Sequence, residues 1–201
     1  MSGVTSQPVE RDHLPGQLRL INDLLAYSRL QQYGAALRVV DLTALAFTAA
    51  DDARVQEGSM VTIDVDLPLP PVLAEPVILG QVLSNLVGNA AKFRKPNSVG
   101  HVRVWAERIA DRVKLWVEDD GIGIAADHQV GIFNVFERLH SQEAYPGTGI
   151  GLAIVQKGME CMGGSCGVES APGIGSRFWI ELETAENSAE WAERTQARQK
   201  Q

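Results

Sequence analysis

Residues 132–154 read IFNVFERLHSQEAYPGTGIGLAI, and within them Gly147-Thr148-Gly149-Ile150-Gly151-Leu152 runs straight into a helical pattern from Ile150 to Met162. The first N–H groups of a helix have no intrahelical partner and lie at the positive end of its dipole. Three alternating glycines remove the side chains that would block an anion from reaching them. A phosphate is the ligand such a segment suits, although a glycine cluster on its own is also an ordinary loop. The spacing is not that of a Walker loop, because no Gly-Lys-Ser/Thr follows. Nor is it a Rossmann fingerprint, since the second and third glycines are too close together and no strand directly precedes them.

Working outward from this loop, two further clusters of chemistry appear. Upstream, Asp119-Asp120-Gly121-Ile122-Gly123-Ile124 follows an alternating run, Val113 to Val117. Its glycines let the backbone approach a flat ligand, and a carboxylate at a strand end can accept from an exocyclic amino group; alone, the run reads equally as a turn. Further upstream, Pro76 opens a helix reaching about Phe93, with Ile78, Val82, Leu86 and Val87 on its buried side. Asn85, Asn89 and Lys92 are four and three residues apart, so two amides and an ammonium share one face. Amide carbonyls are hard oxygen ligands of the kind Mg²⁺ accepts, and Lys adds a point charge for phosphate; the same face also reads as plain solvated surface.

The remaining pattern supplies a framework. Val102 to Glu107 and Val113 to Val117 predict an antiparallel hairpin, and Ser165 to Ser170 with Ser176 to Leu182 predict two closing strands around the Pro172 to Gly175 turn. Asp41 is placed to cap a helix from Leu42 to about Gln56, ended by Gly58. Met60 to Leu67 alternates as a strand, with Val61, Ile63 and Val65 on one face, until Pro68, Pro70 and Pro71 break it. Near the start, Leu14, Leu18, Ile21 and Leu25, widened by Leu24, make an amphipathic helix running to about Gln32. Its stripe either packs on its own domain or forms a bundle or dimer seam. The first dozen residues and a charged tail from Thr184, with a Glu190–Arg194 pair at helical spacing, flank the whole. The expected division is 1–40, 41–183 and 184–201.

With 201 residues, 45 % of them hydrophobic and 21 % charged, the chain suits one packed domain with an appendage. Eighteen Lys and Arg against 25 Asp and Glu give a net charge of −7, which argues against nucleic acid or anionic membrane as a partner. Cys161 and Cys166 match neither a zinc knuckle nor a redox pair and read as buried or idle thiols. There is no long apolar run and no signal-peptide pattern in MSGVTSQPVERDH, so a cytoplasmic protein is expected.

Taken in order, the Asn helix, the hairpin, DxGxG, GTGIGL with its helix, and a GxGS turn at Gly173, Gly175 and Ser176 resemble the ATP-binding domain of bacterial sensor histidine kinases, from about Asp41 to Glu183. The likeness is closest to kinase modules of the bacteriophytochrome kind. It implies a Bergerat-type α/β (α+β) sandwich, a mixed sheet with helices on one face, and Mg-ATP as ligand. By position, Asn89 matches the Mg²⁺-binding asparagine, Asn85 and Lys92 its neighbours near the phosphates, and Phe93 the aromatic residue beside adenine. Asp119 matches the carboxylate that reads the adenine amino group, with Gly121 and Gly123 beneath the base. Gly147, Gly149 and Gly151 match the phosphate-side glycines, Thr148 adds a hydroxyl, and Ser176 of the GxGS turn is counted with the ATP-binding residues. Phe133 and Phe136 match the anchors of a lid. Arg138 and His140 follow in that lid, where a basic group meets the β- or γ-phosphate or is merely solvated. The segment from about Asp127 to Tyr145, hinged at Gly131 and Gly147, is expected to be mobile without nucleotide.

LINDLLAYSRL resembles the second helix of the family's dimerisation and phosphoacceptor hairpin, implying a homodimer or heterodimer through Leu14, Leu18, Ile21 and Leu25. The family's phosphoacceptor is a His followed by an acidic residue and, shortly after, a proline. His13 is followed by Leu14-Pro15 instead, and His101, His128 and His140 have no better claim, so the expectation is that the chain begins after that helix. The resemblance implies donation of the γ-phosphate to a histidine on a phosphoacceptor-bearing kinase chain, and onward transfer to a response regulator. Rival readings are a non-transferring regulatory partner of a full kinase, an anti-sigma-type serine kinase, or an ATP-driven clamp. Against the clamp, Gln81 and Ser84 stand where a water-activating glutamate would be sought, so hydrolysis should be slow.

Overall fold

The computed structural model describes residues 14–30, 36–139, 145 and 147–185. His13, His140, the Gly34 turn, the frayed start and the Glu190–Arg194 pair lie outside the described residues. So does part of the lid, residues 140–144 and 146.

Helix α1 spans Leu14–Leu30, strand β1 Arg38–Val40 and helix α2 Leu42–Glu57. Next come β2 (Val61–Val65), β3 (Val72–Ala74), α3 (Pro76–Lys92), β4 (Gly100–Ile109) and β5 (Arg112–Asp119). Helix α4 (Gly151–Cys161), β6 (Ser165–Ala171) and β7 (Gly175–Glu183) complete the order. The main sheet runs β2-β4-β5-β7-β6, with β2 parallel to β4 and every other pair antiparallel. This is the expected mixed sheet, and α2, α3 and α4 pack on one of its faces. Met60 does not begin β2 but ends a short 3-10 turn after α2. The two three-residue strands β1 and β3 pair into a small separate sheet that the alternation did not announce. Three residues are too few to display a period of two.

Local chemistry sets the helix starts. Asp41 caps α2 by accepting from the Thr43 N–H at 2.8 Å, and Glu75 caps α3 by accepting from the Ile78 N–H at 2.7 Å, with Pro76 in the first turn where no N–H is needed. Asp41→Ala is expected to cost about 1 kcal/mol of stability, read as a lower urea midpoint at unchanged slope. Between the helices and the sheet lies the core: Leu79, Val82, Leu83, Leu86 and Val87 of α3 meet Val102, Val104, Leu115, Val117 and Ile180.

On the other face of the sheet the register builds three cross-strand rows. Trp105, Trp116 and Trp179 are successive partners, with Trp105 and Trp116 stacked at 6.0 Å, and Gly167 completes the row beneath Trp179. A Cβ on Gly167 would lie 2.5 Å from that indole. One flanking row alternates in charge as Asp64, Arg103, Glu118, Arg177 and Glu169. In the other, Lys114 lies over both Trp116 and Trp179 at 4.4 and 4.3 Å, and Glu107 accepts from the Trp116 indole N–H at 2.8 Å. Cross-strand pairing of aromatic and opposite-charge residues thus covers the face that no helix among the described residues covers.

Helix α1 packs against α4. Leu30 is buried there, and the Cys161 thiol donates to the Leu30 carbonyl at 3.0 Å. Burial pushes the other thiol, Cys166, up to about 11, which keeps it protonated and poorly nucleophilic at neutral pH. The apolar stripe, however, does not pack on this domain: Leu18, Ile21 and Leu25 are each more than half exposed. The side chain of Leu14 lies outside the described residues. No helix among the described residues is long and apolar enough to cross a membrane.

Candidate functional site

A cleft opens between the polar face of α3, the loop after β5 and the start of α4. It is lined at one end by Asn85, Asn89, Lys92, Gly147, Thr148 and Gly151. Because the opposite side of α3 is locked into the core, its amides and ammonium must point into this cleft. Asn85 is oriented by its own helix, donating its amide N–H to the Gln81 carbonyl at 2.9 Å. Its oxygen faces the start of α4, where a Cβ on Gly151 would stand only 2.7 Å away. Lys92 reaches toward the same loop, 3.0 Å from where a Cβ on Gly147 would be, and lies 4.2 Å over the ring of Phe93. Side chains at 147 and 151 would therefore fill the space between α3 and α4. Ile150, the N-cap of α4, supplies no side-chain acceptor for the first N–H groups of that helix. An anion-sized cradle results, with a cation on one wall and a helix N-terminus on the other.

The far end of the cleft is apolar with one acid in it. Ile122, Ile124, Ile132 and Phe178 line it, together with Gly123, Ser176 and Asp119. Asp119 ends β5, is 7 % exposed, and accepts at Oδ1 from the N–H groups of Gly121 at 2.9 Å and Ser176 at 3.3 Å. Burial raises its pKa to about 6 against the lowering effect of those two bonds, with Asp120 and Glu118 adding smaller upward pushes. Phe93 lines the cleft between the two ends.

Three of the expected residues have particular surroundings. Gly121 does not line the cleft; it lets the loop press against the end of α3, where a Cβ would stand 2.2 Å from the Phe93 carbonyl. Arg138 lines the cleft, and its guanidinium donates to the carbonyls of Gly147 and Tyr145. Phe133 packs on the core as a lid anchor should, whereas Phe136 is 60 % exposed with φ +67°, its N–H donating to the Gly149 carbonyl at 3.0 Å. Gly149 lines the cleft from the same turn.

Among the lining residues that sequence reasoning missed are the apolar Ile122, Ile124, Ile132 and Phe178 and two polar ones, Tyr145 and Asp23. Tyr145 places its ring 5.2 Å from Phe93 and donates its hydroxyl to the Arg94 carbonyl at 2.9 Å. Asp23, on α1, accepts from the Thr148 hydroxyl at 2.5 Å. Nothing in the spacing of either residue could have announced a contact made across 51 or 125 positions.

A family profile described as "Histidine kinase-, DNA gyrase B-, and HSP90-like ATPase" matches residues 74–186, from β3 through all three regions that form the cleft. The chain belongs to this ATPase family. Within the family it carries the ATP-binding domain of the histidine-kinase type. It is 37 % identical over 166 residues to cyanobacterial phytochrome A of Nostoc sp. (strain PCC 7120), covering 81 % of this chain and 21 % of that protein. The circadian input-output histidine kinase CikA of Synechococcus elongatus is also 37 % identical, with 83 % and 23 % covered. The chain thus spans about a fifth of the length of these relatives. Among solved structures, full-length ShkA in complex with AMPPNP superposes with a TM-score of 0.69 at 32 % identity, over 90 % of this chain and 41 % of that one. The mycobacterial sensor histidine kinase MprB gives 0.66 at 27 %, over 74 % and 98 %.

Proposed function

We propose that the chain is the catalytic module of a cytoplasmic sensor histidine kinase. It would bind Mg-ATP in this cleft and offer the γ-phosphate to a histidine on a phosphoacceptor helix, from which a response regulator is charged. The observation that carries the reading is the polarity of the cleft in an ATPase of this family. A buried acceptor in an apolar end suits an adenine with its amino group. The amides, ammonium and glycine-lined helix start at the other end suit a polyphosphate.

The residues divide the work accordingly. Asp119 would accept from the adenine amino group and repel the carbonyl that guanine carries in its place, while Ile122, Ile124 and Phe178 exclude water from the ring. Lys92 and the N–H groups of the Gly147–Gly151 loop would hold the phosphates in line. The donor set fits a divalent cation, because an amide oxygen and phosphate oxygens are the hard ligands Mg²⁺ takes while it keeps several waters. Asn89 would hold it, with Asn85 beside it. When bound, the ion would neutralise phosphate charge; the protein contributes position and electrostatics, which is most of what phosphoryl transfer requires. The exposed Leu18, Ile21 and Leu25 would form the seam with a second kinase chain, to which the sequence pattern adds Leu14.

Asn89→Ala is expected to abolish the Mg²⁺ dependence of ATP binding, as titrations with and without EDTA would read; a variant that still responds fully to the metal shows a solvated face only. The function itself is tested with labelled ATP, alone and with a phosphoacceptor hairpin from a related kinase. Acid-labile, base-stable label is expected weakly on the supplied hairpin and not on this chain. Acid-stable label would favour a serine kinase. Robust self-labelling lost in His13→Ala would place the phosphoacceptor at the N-terminus.

A further inference from the structure

Asp23 stands out because its carboxylate is hydrogen-bonded to the phosphate-side loop and it comes from outside the nucleotide-binding elements. It lies on α1, half-buried, and lines the cleft with Asn85, Lys92, Gly147 and Gly151. Its Oδ2 accepts a hydrogen bond from the Thr148 hydroxyl, within the loop whose glycines and helix start form the anion cradle. A negative charge fixed beside a polyphosphate site opposes the ligand that site suits, and partial burial leaves that repulsion poorly screened. The same contact ties α1 to the loop, while the rest of the α1–α4 packing holds one buried large side chain of α1, Leu30, among the described residues.

We propose that Asp23 guards the phosphate end of the cleft: held by Thr148, its carboxylate opposes an incoming polyphosphate, so that nucleotide binding and the docking of α1 on α4 compete. The consequence is graded selectivity. Adenosine meets no opposition, a diphosphate meets some and a triphosphate meets most, and a divalent cation relieves it by neutralising phosphate charge. Because α1 also carries the exposed Leu18, Ile21 and Leu25, whatever engages that stripe would share one helix with the nucleotide gate. This inference rests on the cleft being an adenine-nucleotide site, and its test separates the two.

Affinities for adenosine, ADP and ATP are measured by calorimetry, without and with Mg²⁺, for the native protein and Asp23→Asn, which keeps an acceptor for Thr148 and removes the charge. Without the metal, the variant is expected to bind ATP about tenfold more tightly, ADP less so and adenosine unchanged, with the ATP gain shrinking when Mg²⁺ is added. Equal affinities in the two proteins, or weaker ATP binding by the variant, overturn the proposal. Hydrogen exchange in the native protein provides a measurement that needs no variant: amides of residues 18–30 should exchange faster with ATP and be unaffected by adenosine. Slower exchange with ATP would make α1 part of the closed site and overturn the competition. Failure of the native protein to bind any of the three ligands would instead overturn the adenine-nucleotide reading, and this inference with it.

Discussion

Asp119→Asn is expected to weaken ATP binding by about 1.5–3 kcal/mol while stabilising the empty protein at pH 7, a combination that only a functional carboxylate held at a structural cost would produce. The carboxyl is nearly buried, and burial raises its pKa to about 6 although two backbone N–H groups favour its charged form. In the unfolded chain it would lose its proton near the ordinary value of about 4. Between those two values the folded protein holds a proton that the unfolded chain has lost. The stabilising contribution is therefore present at low pH and disappears as pH rises through 6, leaving a cost of about 3 kcal/mol at pH 7. Asparagine keeps an oxygen for the N–H groups of Gly121 and Ser176 and removes the charge. It also replaces the free oxygen by a donor that cannot accept from an amino group. Urea unfolding and calorimetry on the same two proteins read both effects, and a variant of unchanged ATP affinity would sink the assignment. ATP affinity of the native protein should likewise fall as pH drops below 6, where the carboxyl takes up its proton.

Gly123→Ala should be more damaging still, costing about 4 kcal/mol and lowering the amount of folded protein before any ligand is considered. The residue sits at φ +70°, and a Cβ would stand 1.9 Å from the Ala171 carbonyl oxygen and 3.1 Å from the Pro172 Cα, all of it backbone that cannot rotate away. This is where the loop after β5 is tied to the β6–β7 turn: Gly173 donates to the Ile122 carbonyl at 2.7 Å, and Ile124 donates to the Ser170 hydroxyl at 2.8 Å. Gly163→Ala is the control. Gly163 has nearly the same φ, +68°, and nothing within 4 Å of its missing Cβ, so its loss should be limited to the backbone term of about 1 kcal/mol. Equal destabilisation of the two variants, measured by chemical unfolding, would contradict the clash at Gly123.

That comparison marks a limit in how glycines can be read. Alternating glycines near a candidate ligand suggest room for the ligand; at Gly147 and Gly151 a side chain would meet the Lys92 ammonium and the Asn85 amide oxygen across the cleft. At Gly121 and Gly123 the same pattern serves the approach of one stretch of backbone to another. Which of the two holds depends on what lies opposite, and that is set by segments far away in the chain. Arg138 teaches a similar lesson. Its place in the stretch suggested a phosphate contact, yet carbonyls of its own loop are within reach and take its hydrogen bonds.

By itself the sequence determined the local order and the identity of the chemistry: capped helices at Asp41 and Pro76, the polar face of Asn85, Asn89 and Lys92, the β4–β5 hairpin, the acid at a strand end and the glycine-led helix. Each of these is governed by periodicity, capping or turn chemistry acting over a few residues, and such rules are written in neighbouring positions. Only the tertiary structure decided what faces what. It made one row of Trp105, Trp116 and Trp179, set Tyr145 on Phe93, left the Leu18, Ile21 and Leu25 stripe uncovered and brought Asp23 to Thr148. Those contacts depend on strand register and helix docking, where burial of the whole core selects the arrangement and no short stretch of sequence carries the information.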